Sequence, residues 1–103
     1  QWRLEYSHAM IDLREADLSY AHLNGVNLAQ ANLEKADLRC ANLRKANLSQ
    51  ANLHIANLSQ ANLYGVNLNH ANLQIANLDA SNLRKAQLLK ADLSWAGLIK
   101  ANL

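Results

Sequence analysis

Leucine occupies every fifth position from Leu13 to Leu103, nineteen residues in one register. Two places before each Leu stands Ala, with Ile11, Val26, Val66 and Ser81 as the exceptions. The residue between is Asn or Asp except at His22, Gln87 and Gly97. Two variable, mostly polar residues complete the unit. A period of five fits neither regular element. On an α-helix five residues advance about 500°, so successive leucines scatter around the cylinder and no apolar face forms. On a straight strand an odd period sends Leu to alternate faces. A three-residue extended stretch followed by a two-residue corner solves the problem. Ala and Leu then point to one side, the Asn or Asp between them points to the other, and the chain winds into a coil with Ala and Leu inside.

The number of units per circuit is written into the corners. Gly25-Val26 recurs as Gly65-Val66, and Arg44-Lys45 recurs as Arg84-Lys85, each pair forty residues apart. Like stacks on like if forty residues make two circuits, which gives four units per circuit and a square cross-section. Leu13, Leu33, Leu53, Leu73 and Leu93 then form one core column, with Leu18 beginning the next. Such an all-β solenoid buries each unit only against its neighbours. Gly25 and Gly65 suit the positive φ that a type II turn requires at its third residue. Ile55 and Ile75 occupy the same place in their units but are β-branched, which predicts negative φ and a different turn there. The Asn columns are expected to bond one amide to the next or to satisfy turn backbone.

The unit A-(N/D)-L-x-x, as in Ala31-Asn32-Leu33 and Ala36-Asp37-Leu38, resembles the pentapeptide-repeat family over residues 11–103. The resemblance implies a right-handed quadrilateral β-helix with four pentapeptide repeats per coil, here about five coils. It also implies Leu or Phe at the repeat centre, and this chain has no Phe, so its core is expected to be uniform.

Residues 1–10 break the pattern. Arg3 and His8 would fall at repeat centres, so the segment is either a degenerate first coil or a cap, the cap being favoured, with Trp2, Leu4, Tyr6 and Met10 covering the first leucines. Residues 11–103 form the β-helix. Nothing in the last residues resembles a cap, so a missing C-terminal segment or end-to-end stacking of rods is expected to cover the last coil. The chain is accordingly read as a piece of a larger bacterial protein. A cytoplasmic location is the expectation, with a removed signal or membrane segment left open.

Half the residues are apolar, yet no apolar run approaches the roughly 20 residues that cross a bilayer. Net charge is +2, too small to point to nucleic acid from bulk electrostatics. The single Cys40 forms no intrachain disulfide. His22, His54 and His70 map to different faces and do not converge on a metal. The acids are dispersed, and Ser19, Ser49 and Ser59 sit on corners with no His and Asp arranged beside them. No cofactor and no catalytic residue is expected.

With positions twenty apart stacked, two surface features stand out. The column Glu15, Lys35, Ile55, Ile75, Trp95 turns apolar along the chain, with Leu89 and Ile99 outward near the same end. This is a candidate interaction stripe. The columns Asn24, Arg44, Tyr64, Arg84 and Gly25, Lys45, Gly65, Lys85 place Arg44, Lys45, Arg84 and Lys85 around Tyr64. This is a candidate site for an anion or an acidic partner. The expected function is a non-catalytic structural or protein-interaction module with an unidentified protein partner, no nucleic acid and no membrane contact. The family resemblance implies one alternative, a DNA-mimicking binder of DNA gyrase. That role requires a strongly negative rod dimerised through C-terminal elements.

Overall fold

The computed structural model describes residues 10–103, and over that range the chain is an unbroken four-sided β-helix. Each side is a three-residue extended segment centred on the residue before Leu. That central residue makes one parallel bridge to the residue twenty positions on, from Asp12↔Asn32 to Asn82↔Asn102. The twenty-residue register is therefore four repeats per coil, and the five leucines from Leu13 to Leu93 share one column. The pairing is carried by reciprocal bonds. The Leu13 N–H donates to the Asn32 carbonyl (2.8 Å), and the Asn32 N–H donates back to the Ile11 carbonyl (2.8 Å). Of the expected cap or first coil, Trp2, Arg3, Leu4, Tyr6 and His8 lie outside the described residues, and Met10 is 66% exposed.

Every corner is the same. The Ala16 N–H donates to the Leu13 carbonyl (3.1 Å), closing a β-turn, and the pattern repeats along the chain. The third residue of each turn has positive φ: 72° at Gly25, 66° at Gly65, and 57–64° at sixteen non-glycine residues. The second residue does not, which is the type II signature. Gly25 and Gly65 behave as expected. The expectation of negative φ at Ile55 and Ile75 is wrong, because both sit at 62°. Tertiary pairing overrides local preference here. The Ile55 N–H donates to the Gln74 carbonyl of the next coil (3.0 Å) and the Ile75 N–H to the Ser94 carbonyl (2.9 Å). A different turn would break both this bond and the register of everything after it.

The outward Asn and Asp residues serve the turns rather than one another. In fifteen repeats their Oδ1 accepts the backbone N–H two residues on, at 2.9–3.2 Å. That N–H would otherwise be orphaned at the corner. At two of the three repeats without an Asx residue, those of Gln87 and Gly97, the coil below supplies the acceptor. The Leu89 N–H, two after Gln87, donates to Asn69 Oδ1 (2.9 Å), and the Ile99 N–H, two after Gly97, donates to Asp79 Oδ1 (2.9 Å). Gly97 makes room for this, since a Cβ there would stand 2.9 Å from the same Asp79 oxygen.

Inside, Leu33 to Leu78 are buried in series, as are the Ala residues and Val66 that stand two places before them. Ser81 replaces Ala without leaving an unmet polar group, because its hydroxyl donates to the Leu78 carbonyl (2.8 Å). Val66 is buried in a column where it follows Ala46 and precedes Ala86, so one large residue sits between two small ones.

Two substitutions follow. Leu53→Ala should destabilise by about 2–5 kcal/mol, because the stacked neighbours cannot collapse into the void. Ala51→Leu should also destabilise, by overpacking, and Ser49→Ala at a corner should be nearly neutral. Denaturant melts of the three variants check this, with equal losses at Leu53 and Ser49 as the contrary result. Separately, Gly97→Ala should cost about 1 kcal/mol by displacing Asp79 from the Ile99 N–H. Gly97→Asn should recover the loss by accepting that N–H itself, and thermal melts of the pair read the difference.

Candidate functional site

The corners are where side chains are free to vary, and the register gathers them into columns. Ile55, Ile75 and Trp95 lie in one column, twenty residues apart, and are 39%, 50% and 88% exposed. Leu89 and Ile99 stand on the two flanking corners of the last coil, 63% and 69% exposed. Trp95 and Ile99 border one straight segment whose outward centre is Gly97. The coils below carry Asn77 and Asn57 in that place, so the last coil alone offers an apolar strip with no amide across it.

The second candidate is also assembled by the register. The Arg44 guanidinium carbon lies 4.2 Å from the Tyr64 ring centroid, and that of Arg84 lies 5.9 Å from it, one from the coil on each side. Lys45 and Lys85 occupy the adjoining column with Gly65 between them. A Cβ at Gly65 would meet Lys45 Cγ at 3.3 Å, so the lysine stem leans into the space the glycine leaves.

The charges around these sites are sorted by face. The two sides built on Leu13 and Leu18, with the corners that follow them, hold every acid among the described residues. The sides built on Leu23 and Leu28 hold none, yet carry Arg44, Lys45, Arg84 and Lys85, with Lys90 and Lys100 on the corners that border them. A net charge of +2 therefore conceals a two-sided rod. Its register was needed to see this, although writing the sequence in rows of twenty displays it.

On the acidic side the carboxylates are locally matched. Asp12 receives both Nε (2.9 Å) and Nη2 (2.8 Å) of Arg14, and Asp37 receives the same fork from Arg39 (2.9 and 2.7 Å). Asp17 and Asp92 accept the hydroxyls of Ser19 (2.6 Å) and Ser94 (2.5 Å). Each of the four Asp residues that precede Leu is thus followed two places later by a side-chain donor. The Arg14 fork, with the Arg14 backbone N–H, holds Asp12 down to about 2. The Ser19 hydroxyl lowers Asp17, the Arg39 fork lowers Asp37 and the Ser94 hydroxyl lowers Asp92, each helped by the backbone N–H of the same residue.

The remaining chemistry-bearing residues stay apart. His54 Nδ1 is 3.2 Å from Glu34 Oε2, Cys40 Sγ is 3.7 Å from Gln60 Oε1, and His22 and His70 lie in other columns. Among the described residues no cluster of His, Cys, Asp or Glu is placed to hold a metal. No helix of the described residues is long and apolar enough to cross a membrane.

The lowered carboxylates predict an acid limb. A group whose folded value is depressed stabilises the fold above its unfolded value and loses that contribution as pH falls through the folded one. Stability should therefore fall between the ordinary value of 3.8 and about 2 for Asp12, with Asp17, Asp37 and Asp92 adding in the same direction. Urea midpoints measured against pH should show this limb. It should flatten when all four are changed to Asn, which keeps the bond to the turn N–H and removes the titration.

The family profile described as pentapeptide repeats (8 copies) matches residues 11–50, 41–78 and 76–103. Among solved structures, the chain is similar to the pentapeptide repeat protein Rfr23 of the cyanobacterium Cyanothece 51142. The TM-score is 0.85 at 31% identity, covering 98% of this chain and 90% of that one. It is similar to a pentapeptide repeat protein of Nostoc Pcc 7120, with a TM-score of 0.77 at 41% identity, covering 82% of this chain and 70% of that one. A pentapeptide repeat protein of the Arabidopsis thaliana thylakoid lumen gives a TM-score of 0.75 at 28% identity, covering 87% of this chain and 59% of that one. No curated protein sequence matches the chain.

Proposed function

The chain belongs to the pentapeptide repeat family, and from that premise we propose that it is a non-catalytic rod that docks another polypeptide along Ile55, Ile75 and Trp95. The observation that carries this is the backbone of the two isoleucines. A left-handed conformation costs an ordinary L-residue roughly 1–2 kcal/mol, and a β-branched residue suits it least. Of the eighteen corners with positive φ, only these two carry β-branched side chains. The fold does not ask for them, since Gln, Lys, Ala and Gly meet the same turn elsewhere. With 39% and 50% of their surface still exposed, burial offsets that strain only in part. Strain held at an exposed apolar column beneath Trp95 is accounted for by a contact made outside the rod. Leu89 and Ile99 widen the same end of the surface.

The gyrase-binding alternative asks for a strongly negative rod. Two sides of this rod bear no acid and several cations, which argues against it.

The test separates folding from docking. Ile55→Asn with Ile75→Asn should stabilise the rod by about 1 kcal/mol or more, because Asn tolerates the left-handed region. In sedimentation velocity at rising concentration, the parent rod should self-associate through the stripe. Ile75→Ser with Trp95→Ser should remain monomeric. A loss of stability in the Asn variant would assign the isoleucines to folding and overturn the proposal. Self-association that persists in the Ser variant and disappears only when a polar cap is added after Leu103 would show that the end of the rod, not the stripe, is adhesive.

A further inference from the structure

The basic corner is more than an excess of charge. Arg44 and Lys45 lie on one coil, and Arg84 and Lys85 lie two coils further on. At ordinary strand spacing, two dicationic levels stand roughly 10 Å apart. Tyr64 and Gly65 occupy the level between them. The guanidiniums of Arg44 and Arg84 stack over the Tyr64 ring at 4.2 and 5.9 Å, which fixes them while leaving most of their N–H edges for a ligand. Arg84 is held further by its Nε, which donates to Asn82 Oδ1 (3.2 Å). At Gly65 the absent side chain gives room to the Lys45 stem, whose Cγ would stand 3.3 Å from a Cβ there. The ion pairs among the described residues belong to Arg14, Arg39 and His54, and none involves these four cations.

We propose that this corner binds an acidic segment of another polypeptide in the polyproline II conformation, laid along the rod axis, with two carboxylates three residues apart. Three residues of that conformation make one turn, rise about 9 Å and bring the fourth side chain back to the same side, which matches the separation of the two cationic levels. One carboxylate meets Arg44 and Lys45, the other meets Arg84 and Lys85, and the residues between them cross the level of Tyr64 and Gly65. Arg presents a planar fork that takes a carboxylate by two parallel bonds. Nucleic acid fits this corner less well. Single-strand binders offer an open aromatic face for base stacking, whereas the Tyr64 ring has a guanidinium over it from each neighbouring coil. Duplex binders commonly draw on about six to ten phosphate contacts, more than this convex edge provides. The proposal rests on the rod being an interaction module, but it uses none of the apolar stripe.

Fluorescence anisotropy at low salt tests the assignment. The probe is a labelled Gly/Ser peptide with two Asp residues three apart. Its isomers carry the same two Asp side by side or six apart. The first peptide should bind about tenfold tighter than either isomer, the scale of losing hydrogen bonds to a charged group. Arg44→Gln with Arg84→Gln, and Lys45→Gln with Lys85→Gln, should each weaken it about tenfold. Lys35→Gln with Lys90→Gln removes equal charge elsewhere and should change binding little. Thermal midpoints of all three variants should match the parent, so that folding is not the variable. Equal binding of the isomers would reduce the corner to diffuse charge and overturn the proposal. So would tighter binding of single-stranded oligouridylate, or of phosphatidylserine vesicles, than of the peptide. The Ile75→Ser with Trp95→Ser variant should bind the peptide as the parent does, and loss there would move the peptide to the stripe. No peptide binding alongside intact stripe-dependent association would overturn the corner assignment while leaving the stripe standing.

Discussion

The corner residue held at positive φ is the constraint from which the rest of the rod follows. Each corner must turn the chain through a quarter circuit while keeping its amides aligned with the axis, and wherever a further coil follows, up to three bonds hold it. The Leu carbonyl accepts the N–H three residues on. The N–H after Leu is taken by an Asn or Asp side chain. The next N–H donates to a carbonyl of the following coil, as Lys35 does to His54 (2.9 Å). These bonds fix the backbone whatever side chain the third residue carries, which is why Glu, Tyr, Gln, Lys, Cys, His and Ala share one conformation; Lys85, Lys90, Trp95 and Lys100 in the last coil keep it with the first two bonds. Leu, the small residue and the Asx residue are committed to this structure. The two corner positions are not, so the information about binding is confined to them.

The sequence displayed the fold because its period is geometric. A step of five excludes helix and straight strand, and two forty-residue echoes fix four repeats per coil without reference to any relative. The failures had physical causes. Local preference predicted a different turn at Ile55 and Ile75, but the twenty-residue pairing is collective. One isoleucine's reluctance, about a kilocalorie, is set against the register of every later coil. The role of the Asn residues stayed divided between ladder and turn, because residue type alone does not say which N–H lies within reach of the side-chain oxygen. The Asn69 and Asp79 rescues of Leu89 and Ile99 had a legible signal, an acceptor twenty residues before each orphaned N–H.

Both candidate surfaces were named from columns, and the register places them as read. Their surroundings were less legible. Bulk composition reports a charge near neutrality and so excludes nothing useful. The same charges sorted at a period of twenty give two sides that hold all the described acids and two that hold none. The sorting has a simple physical consequence. Screening confines electrostatics to about 8–10 Å at physiological salt. A side of this rod is therefore felt by a partner largely on its own, and opposite sides act as different molecules with respect to charge.

That independence bears on how two surfaces coexist on one small rod. A solenoid transmits structure mainly between adjacent coils, and here the core is a uniform stack of Leu and small residues with no second arrangement to switch into. Coupling between sites requires an element with two states that both ligands bias. The described core offers none. Tyr64 lies within one coil of Ile55 and Ile75 along the axis but on a different corner from theirs, and the Leu layers behind them are buried. Occupancy of the stripe and of the basic corner should then be additive rather than allosteric. On the two proposals made for these surfaces, the rod would hold its contacts at a set distance and angle, and its contribution to an assembly would be the geometry between them.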